Sequence, residues 1–187
     1  MGILLKDMER FRLENNNGVE VEFLSHAGRI FSVKVPDRKE KLDIVLGGGL
    51  QVDPYISTLC GRFANRIAKG IAKLDDEFIR LPVNEPPNHI HGGYHGFNTK
   101  AWKVQPFSLE GYENAFRLTL FSPDGEEDYP GNLKTKVIYA LNDRNELLVD
   151  LKATTDKTTI INLTSHPYFN LNGVGNGNIL NKKYEYS

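Results

Sequence analysis

The chain has 187 residues and a formal net charge of −1, with 23 lysines and arginines against 24 aspartates and glutamates. That length is typical of one domain, so we expect a single domain over residues 1–187. Basic residues are spread along the chain among carboxylates, without the basic stripe that binds nucleic acid. A hydrophobic content of 40% is sufficient for an apolar core. The composition therefore predicts a globular protein that does not bind nucleic acid.

The single cysteine, Cys60, has no partner for a disulfide within the chain. The amino terminus, MGILLKDMERFRL, is interrupted by charges such as Lys6 and Glu9, whereas a signal peptide needs an uninterrupted apolar core. No apolar run approaches the ~20 residues of a membrane-spanning helix. We therefore expect a cytoplasmic protein with no membrane partner, and the sequence leaves its oligomeric state open.

Short runs of alternating apolar and polar residues, typical of β-strands, recur along the chain. The first run, Val19 to Phe23, follows Asn16-Asn17-Gly18, whose residues tolerate the positive φ of a hairpin turn. Later runs cover residues 31–35, 73–81, 115–121, 133–141, 147–153 and 158–164. Many short strands with turn residues between them predict an antiparallel sandwich or barrel.

One stretch has the spacing of a helix. Leu59, Phe63 and Ile67 lie four residues apart, which would place them on one helical face. Gly61 lies within the stretch and disfavours a helix, so helical and extended structure both stay open. Residues 173–178 form a Gly/Asn-rich loop, and a loop so late normally leads to another element. We therefore expect the chain to stop before its fold is complete.

Three histidines, His89, His91 and His95, lie close together in the sequence. In a strand, His89 and His91 would point to the same side, as the paired metal ligands of cupins do. A carboxylate ligand is missing from this pattern and two glycines interrupt the strand, so we do not predict a metal site. The interpretation that we favour makes His89 and His95 polar loop residues.

His166 follows the β-branched run 158–164 and precedes Pro167, which favours extended geometry in the residue before it. We therefore expect His166 at a strand end, with its ring held in a defined direction. Tyr168 and Asn170 lie nearby and offer aromatic and amide groups that suit a sugar. A half-buried histidine that only packs is the alternative, and the residues alone do not decide between the two.

Asn65 and Arg66 form a second candidate pair. The guanidinium provides a rigid fork of donors, and the amide provides both a donor and an acceptor. Sugar hydroxyls use both kinds of group. The alternative is that Arg66 only forms a surface salt bridge.

Residues 124–128 are an acidic run in which Asp124 and Asp128 flank two glutamates. The run lacks the alternating ligands and the glycine position of a calcium loop. We therefore expect a solvated hairpin tip.

Four segments together resemble the aldose 1-epimerase (galactose mutarotase) family. They are GRFANRI at 61–67, NHIHGG at 88–93, SPDGEEDYPG at 122–131 and NLTSHPYFNL at 162–171. Their order and spacing also agree with the family, over nearly the whole chain. The resemblance implies an all-β fold, an antiparallel β-sandwich of the galactose mutarotase type, which we expect to be incomplete in this chain.

The resemblance also implies an enzyme, an aldose 1-epimerase that interconverts the α and β anomers of free aldoses such as galactose and glucose by acid/base ring opening. His166 matches the family's catalytic acid, and His91 matches a histidine that orients the sugar and steadies charge. Asn65, Arg66 and Tyr168 match substrate-binding positions. Because the reaction involves proton transfer only, the resemblance implies no cofactor and no metal, with a free monosaccharide as partner.

The sequence departs from the family pattern in two ways. Ser165 stands where the family usually has Asn, and Pro167 where Ser is common. Family members are also longer, and their catalytic base, a glutamate, and a substrate-binding aspartate would lie beyond Ser187. No motif places Glu126 or Glu127 in the role of the base.

These departures lead us to expect a fragment of a longer product, or one half of a larger assembly. Two alternatives to a complete enzyme follow. One is a sugar-binding homologue or inactive fragment that lacks the base. The other, which we favour less, is a metal-dependent cupin-like protein.

Overall fold

The computed structural model describes residues 8–38, 40–47, 53–180 and 183. The strands in chain order are β1 (Arg10–Glu14), β2 (Glu20–Leu24), β3 (Ile30–Pro36), β4 (Lys41–Asp43), β5 (Leu59–Cys60), β6 (Arg66–Ile67), β7 (Ile71–Leu74), β8 (Glu77–Arg80), β9 (His89–Ile90), β10 (Lys103–Pro106), β11 (Asn114–Ser122), β12 (Leu133–Leu141), β13 (Leu147–Thr155) and β14 (Thr164–Ser165). Short 3₁₀ turns occur at Ala68–Gly70, Phe97–Thr99 and Glu126–Asp128. Within the described ranges, no helix has the length and apolar character needed to cross a membrane.

The first sheet has the strand order β1-β2-β3-β4, with every neighbouring pair antiparallel. The turn between β1 and β2 contains Gly18, whose φ of 78° lies in the left-handed region that glycine adopts without steric cost. Along β2, Val21 and Phe23 are fully buried, whereas Glu22 between them is not. The period of two in the sequence therefore gives the sheet one apolar face.

The second sheet has the order β10-β11-β12-β13 and contains the longest described strands, β11 to β13, of 9 residues each. Asn142 forms the turn between β12 and β13, because its side-chain oxygen accepts the backbone N–H groups of Arg144 and Glu146, at 3.0 Å each. That local bond offers the chain a turn in place of further strand. It sets the register of the last hairpin.

The apolar faces of the two sheets share one core. The ring centroids of Phe23 in β2 and Tyr139 in β12 lie 5.1 Å apart, and those of Phe11 and Phe116 lie 5.5 Å apart. Each fully buried large side chain stabilises the fold by roughly 2 kcal/mol. The two packed antiparallel sheets confirm the predicted β-sandwich.

Most predicted strands are confirmed. The alternating runs 19–23, 31–35, 115–121, 133–141 and 147–153 correspond to β2, β3, β11, β12 and β13. Residues 73–81 overlap the β7–β8 hairpin, which begins two residues earlier, at Ile71. The turn of that hairpin includes Asp75, whose φ is 53°. Local alternation was therefore a sound guide wherever a strand packs one face on the core.

The helical alternative for residues 59–67 is wrong. The segment is extended, with β5 at its start and β6 at its end. Gly61 brings its backbone so close to Phe97 that a Cβ there would lie 2.5 Å from the ring. Asn65 then adopts a left-handed φ of 64° and redirects the chain. Leu59, Phe63 and Ile67 do lie four residues apart, but they do not form one helical face, and each packs in a different place.

The strand predicted for residues 158–164 is also wrong over most of its length. Only Thr164 belongs to a strand, β14, and Asn162 forms a single bridge to Phe63. Residues 59–67 pair with this run only at Cys60, through Thr164, and at Phe63, through Asn162. The β-branched run therefore has no continuous partner strand. High β-propensity therefore did not produce a strand without a partner.

Candidate active site

Two short strand pairs bring distant segments of the chain together. β14 pairs with β5, and β6 pairs with β9. Between them lies a cleft of about 540 Å³. Its lining consists of Ala64, Asn65, Arg66, His91, Asn162, Leu163, Thr164, Ser165, His166 and Pro167. Four of the five residues predicted for the site thus line one cleft: Asn65, Arg66, His91 and His166.

His166 directly follows β14, which confirms the expected strand end. Its backbone is held on both sides, because its N–H donates to the Thr58 carbonyl at 2.9 Å and its carbonyl accepts the Ser57 N–H at 2.8 Å. The imidazole ring stacks on Tyr168, with centroids 5.1 Å apart and an interplanar angle of 16°. The ring direction is therefore set by main-chain bonds and by an aromatic neighbour.

His91 lies across the cleft from His166, with ring centroids 5.3 Å apart and planes at 80°. Its backbone N–H donates to the Asn65 carbonyl at 3.1 Å, and its Nδ1 accepts the Asn65 backbone N–H at 3.0 Å. A backbone N–H can only donate, so Nδ1 carries no proton. The neutral ring of His91 therefore carries its proton on Nε2 and offers a hydrogen-bond donor.

The electrostatics of the cleft keep His91 neutral. Burial lowers the pKa of His91, and the neighbouring His166 and Arg66 lower it further, whereas Asp53 and Glu85 oppose these effects. A neutral imidazole near pH 7 also preserves the bond from Asn65, which protonation of Nδ1 would break. His91 is thus suited to donate a hydrogen bond and to bear no charge.

Asn65 and Arg66 lie at the rim of the cleft. The Asn65 side-chain oxygen accepts the Arg66 backbone N–H at 2.8 Å. The Arg66 guanidinium forms two bonds to Glu85, from Nε and from Nη2, each 2.6 Å long. This hydrogen-bonded pair raises the pKa of Arg66 and lowers that of Glu85. Arg66 therefore forms a salt bridge and also lines the cleft. Its Nη1 has no bond to Glu85.

Tyr168 does not line the cleft itself. Its side chain is 45% exposed, and its carbonyl accepts the Leu46 backbone N–H at 3.0 Å. Its contact with the site is the stacked His166 ring. The prediction that Tyr168 binds substrate stays a prediction.

The expectation for His89 is wrong, since it is a fully buried residue of β9 and not a polar loop residue. Its Nδ1 lies 2.7 Å from the Pro82 carbonyl, and its Nε2 lies 2.6 Å from the Tyr129 hydroxyl. Both nitrogens are thus engaged. His91 adopts a left-handed φ of 51°, so it does not share the side of His89 and the cupin-like pair does not form. His95 is an exposed turn residue, as expected.

Comparisons with known proteins identify the family of the chain. The model of the family described as aldose 1-epimerase matches residues 9–187. The chain belongs to the aldose 1-epimerase family. Galactose mutarotase of Rattus norvegicus is 42% identical over 178 residues, which cover 92% of this chain and 50% of the relative. Aldose 1-epimerase of Haemophilus influenzae is 35% identical and covers 88% of this chain and 48% of the relative.

A solved structure agrees in fold as well. The crystal structure of galactose 1-epimerase from Lactobacillus acidophilus superposes with a TM-score of 0.80 and 34% identity. The match covers 91% of this chain and 51% of that one. The chain thus spans about half the length of the aldose 1-epimerase relatives that it matches.

Two residues that support the cleft were not predicted from the sequence. Arg62 is buried, and its guanidinium donates to the Ser122 hydroxyl and to the carbonyls of Ser122, Pro123, Pro130 and Gly131. Glu127 accepts the backbone N–H groups of Tyr94 and His95 at 3.0 and 2.8 Å. The acidic run 124–128 is therefore a solvated tip only in part: Asp124 and Asp128 are exposed, as expected, whereas Glu127 is half-buried and bonded to the turn that carries His95. The shared family motifs were the only signal in the sequence.

Proposed function

We propose that this chain forms the acid-bearing side of an aldose 1-epimerase site, which interconverts the α and β anomers of free aldoses such as galactose and glucose. The observation that carries the proposal is the pair of crossed imidazoles, His91 and His166, whose centroids lie 5.3 Å apart in one cleft. Asn65 and Arg66 line the same cleft. Relatives named galactose mutarotase and aldose 1-epimerase, of which the chain spans about half, support the same substrate class.

The proposed reaction moves protons only. A base takes the proton of the anomeric hydroxyl while an acid gives a proton to the ring oxygen. The bond from the anomeric carbon to the ring oxygen breaks, and an open-chain aldehyde forms. Rotation about the bond between the first and second carbons followed by closure gives the other anomer. Atoms balance without any oxidant or group donor.

In this scheme His166 is the acid that protonates the ring oxygen. Histidine titrates near neutral pH, with an ordinary pKa of about 6.5, and so exchanges protons readily there. His91 donates from Nε2 to a sugar oxygen. Arg66 and Asn65 bind hydroxyls, and Tyr168 holds the ring of His166. No residue of the described ranges is assigned as the base.

Polarimetry tests the proposal directly. We expect the chain to speed the decay of optical rotation in freshly dissolved α-galactose, and His166→Asn to lower that rate by roughly 10²–10⁴-fold, the usual contribution of acid–base catalysis. His95→Asn is the matched control, because it removes an exposed histidine outside the cleft. A His166→Asn variant as active as the control would overturn the assignment.

A specific observation also supports a second candidate, a homologue that binds sugar without epimerising it. Among the described residues that line the cleft there is no carboxylate to act as the base. Titration of the chain with galactose, followed by NMR shifts of the site residues, separates the two. Saturable binding without any rate in polarimetry favours the second candidate.

We also propose a cytoplasmic location. Cys60 is buried and free, and burial raises the pKa of its thiol to about 11. A thiol that stays protonated and unpaired is consistent with a reducing compartment.

A further inference from the structure

Arg29, which precedes β3, is a buried cation that the proposed mechanism does not use. Its side chain is only 1% exposed. None of the ion pairs among the described residues includes Arg29, and burial lowers its pKa while Asp53 and Cys60 oppose that effect. Burying a guanidinium without a paired carboxylate is costly, so its hydrogen bonds must compensate.

Those hydrogen bonds go to one loop. Arg29 Nη1 donates to the carbonyl of Ile56 at 2.5 Å, and Nη2 to that of Pro54 at 3.4 Å. The two carbonyls lie on either side of Tyr55. Within residues 53–58, which we call the clamp loop, Ser57 adopts a left-handed φ of 58°. A loop with this unfavourable backbone needs outside contacts to keep its shape.

The clamp loop contacts both histidines of the cleft, each in a different way. The Tyr55 ring packs on the His91 ring, with centroids 4.6 Å apart. The N–H of Ser57 and the carbonyl of Thr58 hold the backbone of His166 at 2.8 and 2.9 Å. The clamp loop thus touches the ring of His91 and the main chain of His166.

We propose that Arg29 is a positioning residue, which fixes the clamp loop and through it the relative placement of the His91 and His166 rings. The inference deepens the proposed function. It rests on that function only for the reason why the two rings must be placed in this way. A purely structural Arg29 would be replaceable by an apolar side chain of similar length without any change at the two rings.

The test uses the whole chain and no sugar, so that it stays independent of the proposed function. Arg29→Met removes both hydrogen bonds and the charge. Arg29→Lys keeps the charge but loses the planar guanidinium that bonds two carbonyls at once. Imidazole ¹⁵N NMR reports the tautomer and the titration of each ring. The charged and titratable groups that act on His91 are His166, Arg66, Asp53 and Glu85.

In Arg29→Met we expect the pKa of His91 to rise toward the ordinary value of about 6.5 and its Nε2–H tautomer to become mixed. The His166 ring signals should shift as well. Amide exchange at Ser57 and His166 should accelerate about tenfold, which corresponds to the loss of one hydrogen bond to a charged group. Arg29→Lys should give the same changes at smaller size.

Two further variants keep the inference falsifiable if Arg29→Met does not fold. Tyr55→Leu should disturb the His91 ring alone, because His166 is held by backbone bonds. Asn15→Ala is the stability control, since buried Asn15 donates to the Asn142 carbonyl and the Asn145 side chain at 2.8 Å each and does not line the cleft. Unchanged ring titrations in a folded Arg29→Lys variant, or changes equal to those in Asn15→Ala, would overturn the inference.

Discussion

The chemistry open to His91 depends on which ring nitrogen bears the proton. The backbone N–H of Asn65 donates to Nδ1 of His91, so Nδ1 carries no proton and the donor on the His91 ring is Nε2. His89, two residues earlier, has the opposite assignment, because its Nδ1 faces the Pro82 carbonyl and must donate there. Two histidines of one motif therefore have different roles, one facing the cleft and one holding the fold.

At the same scale, we predict that Glu85→Gln weakens galactose binding roughly threefold while leaving the catalytic rate nearly unchanged. The variant loses the charge-assisted, two-bond contact that orients the Arg66 guanidinium. Binding is measured by titration with galactose, and the rate by polarimetry. Glu113→Gln is the control, as it alters an exposed carboxylate away from the cleft. Equal affinities for both variants would contradict the prediction.

A second residue-scale prediction concerns pH. Burial lowers the pKa of His89, although its bond to the Pro82 carbonyl opposes this. Below the ordinary histidine value of about 6.5, the unfolded chain therefore binds a proton that the folded chain rejects. The stability contribution is full above that pH and is lost as the pH falls through it.

Urea unfolding between about pH 7.5 and about pH 5 measures this effect. We expect His89→Asn to be less stable near neutral pH but less sensitive to acid than the parent. His95→Asn, which removes an exposed histidine, should keep the steeper pH dependence of the parent. Equal slopes for the two variants would show that His89 is not the titrating group.

At the scale of elements, the hairpin 122–131 acts as a brace between two motif segments. Arg62 donates five hydrogen bonds to it, and Glu127 returns two acceptor contacts to the turn that carries His95. Gly93 beside it has a φ of 99°, which side chains rarely adopt, and a Cβ there would displace the Glu127 carboxylate from its bonds. The hairpin therefore belongs to the support of the site.

We predict that Glu127→Gln destabilises the fold by about 1.5 kcal/mol, because one of two charge-assisted acceptor contacts is replaced by an amide donor facing a donor. Chemical denaturation measures the free energy of unfolding. Asp128→Asn is the matched control, since it neutralises the adjacent exposed carboxylate. A loss of stability no larger than in the control would argue against the bracing role.

At the scale of the whole molecule, an apolar groove of about 660 Å³ runs between the two sheets. Its lining includes Val21 and Val33 of the first sheet, Leu147 and Val149 of β13, and Phe169. Apolar surface of this kind promotes association between protein molecules when it stays exposed to solvent. Association of the chain through apolar surface would begin in this groove.

We predict that the folded chain binds a hydrophobic dye such as ANS, and that Val149→Lys lowers this binding by placing a charge in the groove. Lys152→Glu is the control, because Lys152 lies on the opposite face of β13 and is exposed. Dye fluorescence and sedimentation at increasing concentration measure the effect. If the two variants bind equal amounts of dye, the apolar surface that binds the dye lies outside this groove.

The sequence by itself determined the longer strands and the four motif segments. Alternation is a local property, so β2, β3, β11, β12 and β13 could be read from neighbouring residues. The candidate residues Asn65, Arg66, His91 and His166 came from local motifs and a family resemblance, and they do line one cleft. Their proposed roles still need experiments.

Only the tertiary structure decided what each of those segments packs against. Whether residues 59–67 become a helix, or 158–164 a strand, depends on partners about a hundred residues away. The same holds for the burial of His89, the bonds of Arg62 and the clamp loop beneath Arg29, because hydrogen bonds between distant segments leave no periodic trace in the sequence. The protonation of the His91 ring, and with it the chemistry of the cleft, belongs to this second group.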